Sequence, residues 1–187
     1  VISQGVETSA TLAEINTSTL STRRIQTATF DHRGVVESAK FSDDGMLIAT
    51  SSRDNSVKLW TNAGEPLSAP LIHPVRPGRP AFGPDGDRVA TTAGTKFSLW
   101  STGKLRKSQN LAIDTGIRIS RTGFEINFSP NGKWIGAAGT AKAEIYDSEN
   151  GTLKQSWSVN SGLYNPSPDD RQQVSISFSQ DSEHVLI

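Results

Sequence analysis

An all-β chain of short antiparallel strands in repeated units is the fold class this sequence predicts, and three observations predict it. Apolar and polar residues alternate with period two in short runs, and Gly, Pro, Ser, Thr, Asn and Asp lie between the runs throughout the chain. Phe41, Phe82, Phe128 and Phe178 each end such a run and are followed by the polar turns SDDG, GPDG, SPNG and SQDS. The Phe-to-Phe spacings are 41, 46 and 50 residues, close to the about 40–45 of a four-strand repeat.

The stretch Asp31 to Trp60 shows the unit most fully. A His-containing loop leads into a run ending at Phe41, strand a; the SDDG turn leads into Met46 to Thr50, strand b. A Ser/Asp/Asn turn then opens strand c, Val57-Lys58-Leu59-Trp60. Trp60, Trp100 and Tyr146 lie 19, 18 and 18 residues after their Phe and close the c strands SVKLW, KFSLW and AEIY. A weaker strand d is expected around Pro66–Leu71, Leu105–Ser108 and Leu153–Trp157. Short strands joined by tight turns and repeated along a chain are the sequence form of a β-propeller blade. The expected fold is therefore a β-propeller built of four-stranded antiparallel blades.

Whole blades are expected over residues 30–71, 72–113 and 114–159. AEIN at Ala13–Asn16 matches AEIY at Ala143–Tyr146, and Arg24–Thr27 sits where Lys154–Trp157 sits after it. Residues 1–29 are thus read as strands c and d of a partial blade. Ile187 aligns with Thr50, so residues 160–187 supply only strands a and b, and the chain holds about four blades' worth of strand. An open stack exposes unpaired edges, which proteins avoid. Two explanations follow: the chain is a piece of a larger propeller, or two copies join as a homodimer into one eight-bladed ring. Ser158 to Gln173, SVNSGLYNPSPDDRQQ, breaks the period and reads as a functional loop or as slack.

The blade motif resembles the WD-repeat family, whose propellers most often have seven blades. That resemblance implies a hydrogen-bonded set in each blade: a His before strand a, a Ser or Thr on strand b, an Asp in the b–c turn and the strand-c Trp. Here His32 lies nine residues before Phe41, although Asp31 replaces the family's Gly, and Asp54 and Trp60 fit the turn and strand-c positions. Thr50 or Ser52 fits strand b, since both share a face with Asp54 by alternation. An ionised Asp accepts from imidazole, the imidazole bonds the hydroxyl, and the hydroxyl takes the indole N–H, so every polar atom between blades is satisfied. A His, a hydroxyl and an Asp also suggest a hydrolase triad, but catalysis needs an exposed nucleophile beside oxyanion donors. The spacing favours the structural role.

Later units depart from the pattern. His73 is again nine before Phe82, and Trp100 is in place, but the b–c turn is one residue shorter and lacks the Asp. The third unit is equally short, has Tyr146-Asp147 for Trp-Asp and Ile119 at the His position; the last unit has Asp169 there. A plain two-residue hairpin is expected to replace the Asp-built turn.

Composition narrows function. Lys plus Arg number 19 and Asp plus Glu 19, a net charge of zero that does not suggest nucleic-acid binding. No apolar run approaches the roughly 18 residues of a membrane span, so no membrane role is expected and the cytoplasm is the expected compartment. Val rather than Met stands first, and a native N-terminus with any signal it carried is expected to have been removed. The chain has no cysteine and its Gly residues follow no phosphate-loop order. His32, His73 and His184 are far apart in sequence, so neither a metal nor a cofactor is expected. Lys104 to Lys107 reads as a solvated blade edge.

Binding remains, and loops on a rigid scaffold usually carry it. The resemblance puts the d–a and b–c loops on one face, with Arg33, Arg53, Arg76, Arg79, Arg121 and Arg171. The a–b turns on the other face hold Asp43, Asp44, Asp85, Asp87, Asp181 and Glu183. An arginine-weighted face recognising an acidic or polar peptide is the expectation, diluted by Asp31, Asp169 and Asp170. The chain is thus expected to be a non-catalytic protein–protein interaction scaffold or sensor module. The resemblance places such domains in larger multidomain proteins, in bacteria commonly beside a nucleotide-dependent or kinase-like effector. A propeller enzyme would carry polar groups at the first residues of its a strands, which here read Val36, Phe124 and Val174. A structural ring-closing subunit is the third possibility.

Overall fold

Side chains alternate across a strand, so a strand covered on both faces sends apolar groups both ways. In the computed structural model, which describes residues 8–11, 14–16, 21–23, 29–102, 111–114, 125–139, 142–158 and 174–187, that rule builds antiparallel sheets packed in chain order. The first strands are β1 (Ser9–Thr11), β2 (Glu14–Asn16), β3 (Ser21–Arg23) and β4 (Thr29–Asp31). β1 pairs with β4, and β2 with β3. Next come β5 (Val36–Phe41), β6 (Leu47–Ser52), β7 (Ser56–Thr61) and β8 (Leu71–Ile72), in one sheet in that order. The second four-stranded sheet is β9 (Ala81–Phe82), β10 (Arg88–Ala93), β11 (Lys96–Ser101) and β12 (Leu111–Asp114). The third is β13 (Glu125–Phe128), β14 (Trp134–Gly139), β15 (Lys142–Asp147) and β16 (Leu153–Ser158); β17 (Ser177–Phe178) and β18 (Val185–Leu186) pair last.

An apolar cluster lies between each sheet and the next. Ala10 and Phe30 meet Val36, Ile48 and Trp60. Ala49, Val57, Leu59 and Leu71 on the other face of that sheet meet Phe82, Val89 and Trp100. Ala90, Phe97 and Leu99 meet Ile126, Ile135 and Tyr146, while Ala138 and Ala143 meet Val174 and Ile176. Neighbours such as Ile48 and Ala49 therefore serve different interfaces, as period two requires.

The a–b turns repeat one geometry. Gly45, Gly86, Gly132 and Ser182 occupy the same turn position at φ of 71°, 68°, 70° and 62°. Each donates its N–H to the residue three before it: Ser42, Gly83, Ser129 and Ser179. Asp44, Asn131 and Asp181 accept from the turn's first hydroxyl and from a backbone N–H two residues on. Three of the four left-handed positions use Gly, which takes positive φ without Cβ cost.

Two strand expectations are corrected. Strand c of the first part-sheet begins at Ser9: Ala10 pairs with Phe30 as Val57 pairs with Leu71 and Ala143 with Trp157. The match of AEIN to AEIY is thus three residues out of register, and Arg24–Thr27 lies outside the described residues. Strand β3 ends at Arg23 and β4 carries the pairing on to Asp31. In the second sheet β12 (Leu111–Asp114) pairs with β11 as the described fourth strand, and the d strand expected around Leu105–Ser108 lies outside the described residues. Weak d strands carry little apolar pattern, so pairing with strand c decides their place. The d strand expected over Pro66–Leu71 is two residues, Leu71–Ile72, with an isolated Trp60–Pro66 bridge before it, because proline cannot donate to a ladder.

Candidate functional site

His32 sits just past β4, with its side chain fully buried, between the b–c turn and strand β6. Its Nδ1 lies 3.1 Å from Asp54 Oδ2 and its Nε2 2.7 Å from Thr50 Oγ1. Trp60 Nε1 donates to the same Thr50 oxygen at 2.9 Å. The partners define the neutral tautomer with the proton on Nδ1: imidazole donates to carboxylate, threonine donates to Nε2 and accepts the indole. Of the two hydroxyls that fit strand b, Thr50 is the one in this chain of bonds. Ser52 instead donates to Gly34 O at 3.0 Å and accepts from Asp54 N at 3.1 Å, bracing the turn.

Asp54 also accepts from the Ser56 hydroxyl at 2.6 Å and from the Arg33 backbone N–H at 2.9 Å. Burial alone would raise its pKa, but the bonds from Ser56, Arg33 and His32 together hold it at about 2. Burial lowers His32 below the ordinary 6.5 despite the neighbouring Asp54. A hydrolase triad would need the hydroxyl open to substrate, and Thr50 is 0% exposed. Gly34 allows the close approach of these loops, since a Cβ there would stand 2.8 Å from Asp54 N.

The set dissolves along the chain. In the second sheet Trp100 Nε1 still donates to Thr91 Oγ1 at 2.7 Å, and His73 packs edge-on to Trp100 with centroids 5.8 Å apart. No Asp is present, the b–c turn is the two residues Gly94 and Thr95, and the buried His73 Nε2 has no hydrogen-bond partner. Burial lowers the His73 pKa too. In the third sheet Ala137 takes the threonine place, opposite Glu144, and Tyr146 donates its hydroxyl to that buried carboxylate at 2.5 Å. Ser156 and Lys142 complete the shell of Glu144.

Around the His32 loop the arginines are exposed. Arg33 points to solvent while its backbone serves Asp54. Arg53 Nε donates to Glu37 Oε1 at 2.6 Å, and Arg76 Nε donates to Glu37 Oε2. The side chains of Arg53 and Arg76 are 59% and 56% exposed, that of Glu37 16%. Val75 and Arg79, on the same connection as Arg76, are exposed too. Arg121, Arg171, Ile119, Phe124, Asp169, Asp170 and Lys104 to Lys107 lie outside the described residues. His184 is on the surface, 3.8 Å from Asp181, and among the described residues no three His, Asp or Glu side chains gather as a metal site.

Sequence reading passes over three groups. Ser56 was discoverable, because Asp-x-Ser is the signature of a side chain capping its own turn. Glu144 shares a face with Tyr146 by alternation, which also was legible. Glu37 was not: the register shifts between Val36 and Ser38, so Glu37 is the unpaired residue of a β-bulge, and alternation misplaces it.

Residues 24–61 match the family described as WD domain, G-beta repeat. No curated protein matches the chain. The match covers β4 to β7 and the whole His32–Thr50–Asp54–Trp60 chain of bonds, and repeats of this family generally mediate protein–protein interaction. Residues 24–61 are thus a WD repeat.

Proposed function

We propose that the chain is part of a β-propeller, its stacked sheets the blades, serving as a non-catalytic interaction platform within a larger multidomain protein. Its partner is a protein segment rich in carboxylates, received on the face of the d–a and b–c loops. The observation that carries this is the exposed pair Arg53 and Arg76 joined through Glu37, with exposed Arg33 and Arg53 flanking the His32–Asp54 bonds that brace their loops. Rigid loops lose little entropy on binding, and arginine forks match carboxylates. The double substitution Arg33→Glu with Arg76→Glu tests it on an array of acidic peptides. The variant should lose the peptides that the parent chain retains; equal retention rules the reading out.

A second reading is favoured by the two-stranded β17–β18 pair, whose Leu186 is 74% exposed, and by the complementary pairs at β1 to β4. Two copies could complete each other's part-blades in one ring. Solution mass decides: twice 20.1 kDa supports the ring, and a 20.1 kDa monomer excludes it.

A further inference from the structure

Arg53 comes from the b–c turn, Arg76 from the connection after β8, and Glu37 from strand β5, so three separate segments converge. A bulge is what brings the carboxylate there. Val36 pairs with Ser52 and Ser38 with Ser51, leaving Glu37 unpaired and re-aimed toward both guanidinium groups. Both arginines spend Nε on it, both side chains remain more than half exposed, and among the described residues neither makes a further bond. Two positive charges against one carboxylate leave a single positive charge. Asp54, next to Arg53 in the b–c turn, is occupied by His32, Ser56 and the Arg33 backbone.

We infer that Arg53, Glu37 and Arg76 form a two-arginine clamp for one peptide carboxylate, an Asp or Glu side chain, and that Glu37 sets its selectivity. Glu37 orients both forks through Nε and cancels one charge, so the clamp suits a monoanion and disfavours a doubly charged phosphorylated side chain. This rests on the arginine-face reading and adds to it the choice of anion.

The test is fluorescence anisotropy on the full 187-residue chain with three labelled hexapeptides: hexaglutamate, hexaglutamine, and one bearing phosphoserine in place of each glutamate. The parent chain should prefer hexaglutamate over both others. Arg53→Gln with Arg76→Gln should weaken hexaglutamate by about tenfold or more, as expected for lost charge-assisted bonds, with thermal unfolding unchanged. Glu37→Gln keeps the shape, raises the local charge by one, and should swing the preference by about tenfold toward the phosphoserine peptide. An unchanged preference in Glu37→Gln, with binding still dependent on the arginines, overturns the clamp and spares the arginine face. Hexaglutamate binding indifferent to the arginines, or no preference over hexaglutamine, overturns both.

Discussion

Asp54 is a largely buried residue on whose carboxylate four bonds converge, and losing it strands the buried partners among them. His32 would keep a buried N–H without an acceptor, and Ser56 and the Arg33 amide would lose theirs. Asp54→Ala is expected to destabilise the chain by about 1–3 kcal/mol, read as a lower midpoint in urea unfolding. The two buried histidines should respond in opposite directions to one change. His32→Phe breaks a satisfied network and should cost about 2 kcal/mol or more, whereas His73→Phe removes an orphaned Nε2 while keeping an aromatic edge on Trp100. His73→Phe should therefore leave stability unchanged or raise it by about 1 kcal/mol. Thermal unfolding of the pair checks the contrast. The residues of this set are legible because their offsets from Phe41 are strict, and Ser56 belongs with them as the hydroxyl two residues after Asp54 that closes its turn.

At the scale of elements, neighbouring a–b turns are tied by side chains that reach across sheets. Arg88 of β10 donates from Nη1 to Ser148 O and Oγ, both at 2.9 Å, and from Nη2 to Gly132 O at 3.3 Å. Arg88→Met keeps much of the stem packing and loses these bonds, and should cost about 1–2 kcal/mol in denaturant unfolding. Nothing in the local sequence marks Arg88, since its acceptors are 44 and 60 residues away. The turns themselves were readable, because Gly at a left-handed position and Asp or Asn two residues into the turn are local chemistry. The d strands were not. β8 and β12 have weak patterns of their own, and β12 is placed by its ladder to β11.

For the molecule as a whole, stability should depend on pH in two windows. His32 and His73 both titrate below 6.5 when folded, so only the unfolded chain takes up their protons as pH falls through that value. Their contribution is complete above 6.5 and is lost as pH drops toward their folded values. Asp54 has the same sign at lower pH. Its contribution is complete above 3.8 and is lost as pH falls toward about 2, an effect of about 2 kcal/mol. Urea midpoints should hold level above neutrality and decline in mild acid, and the decline should be shallower in His73→Phe. A flat profile across the first window would contradict the buried neutral histidines.

What the sequence by itself determined is what lies within one repeat: all-β character, the strand–turn period, the a–b turn chemistry and the first WD repeat. Each rests on neighbours a few residues apart, where period two and turn preferences act directly. Only the tertiary structure decided matters that depend on pairing between distant segments. It chose Thr50 over Ser52, moved the first strand c to Ser9, left His73 without its acid, and bulged Glu37 out of register to meet Arg53 and Arg76. A one-residue slip in a strand reverses every side chain beyond it, and such a slip is written in the ladder rather than in the alternation.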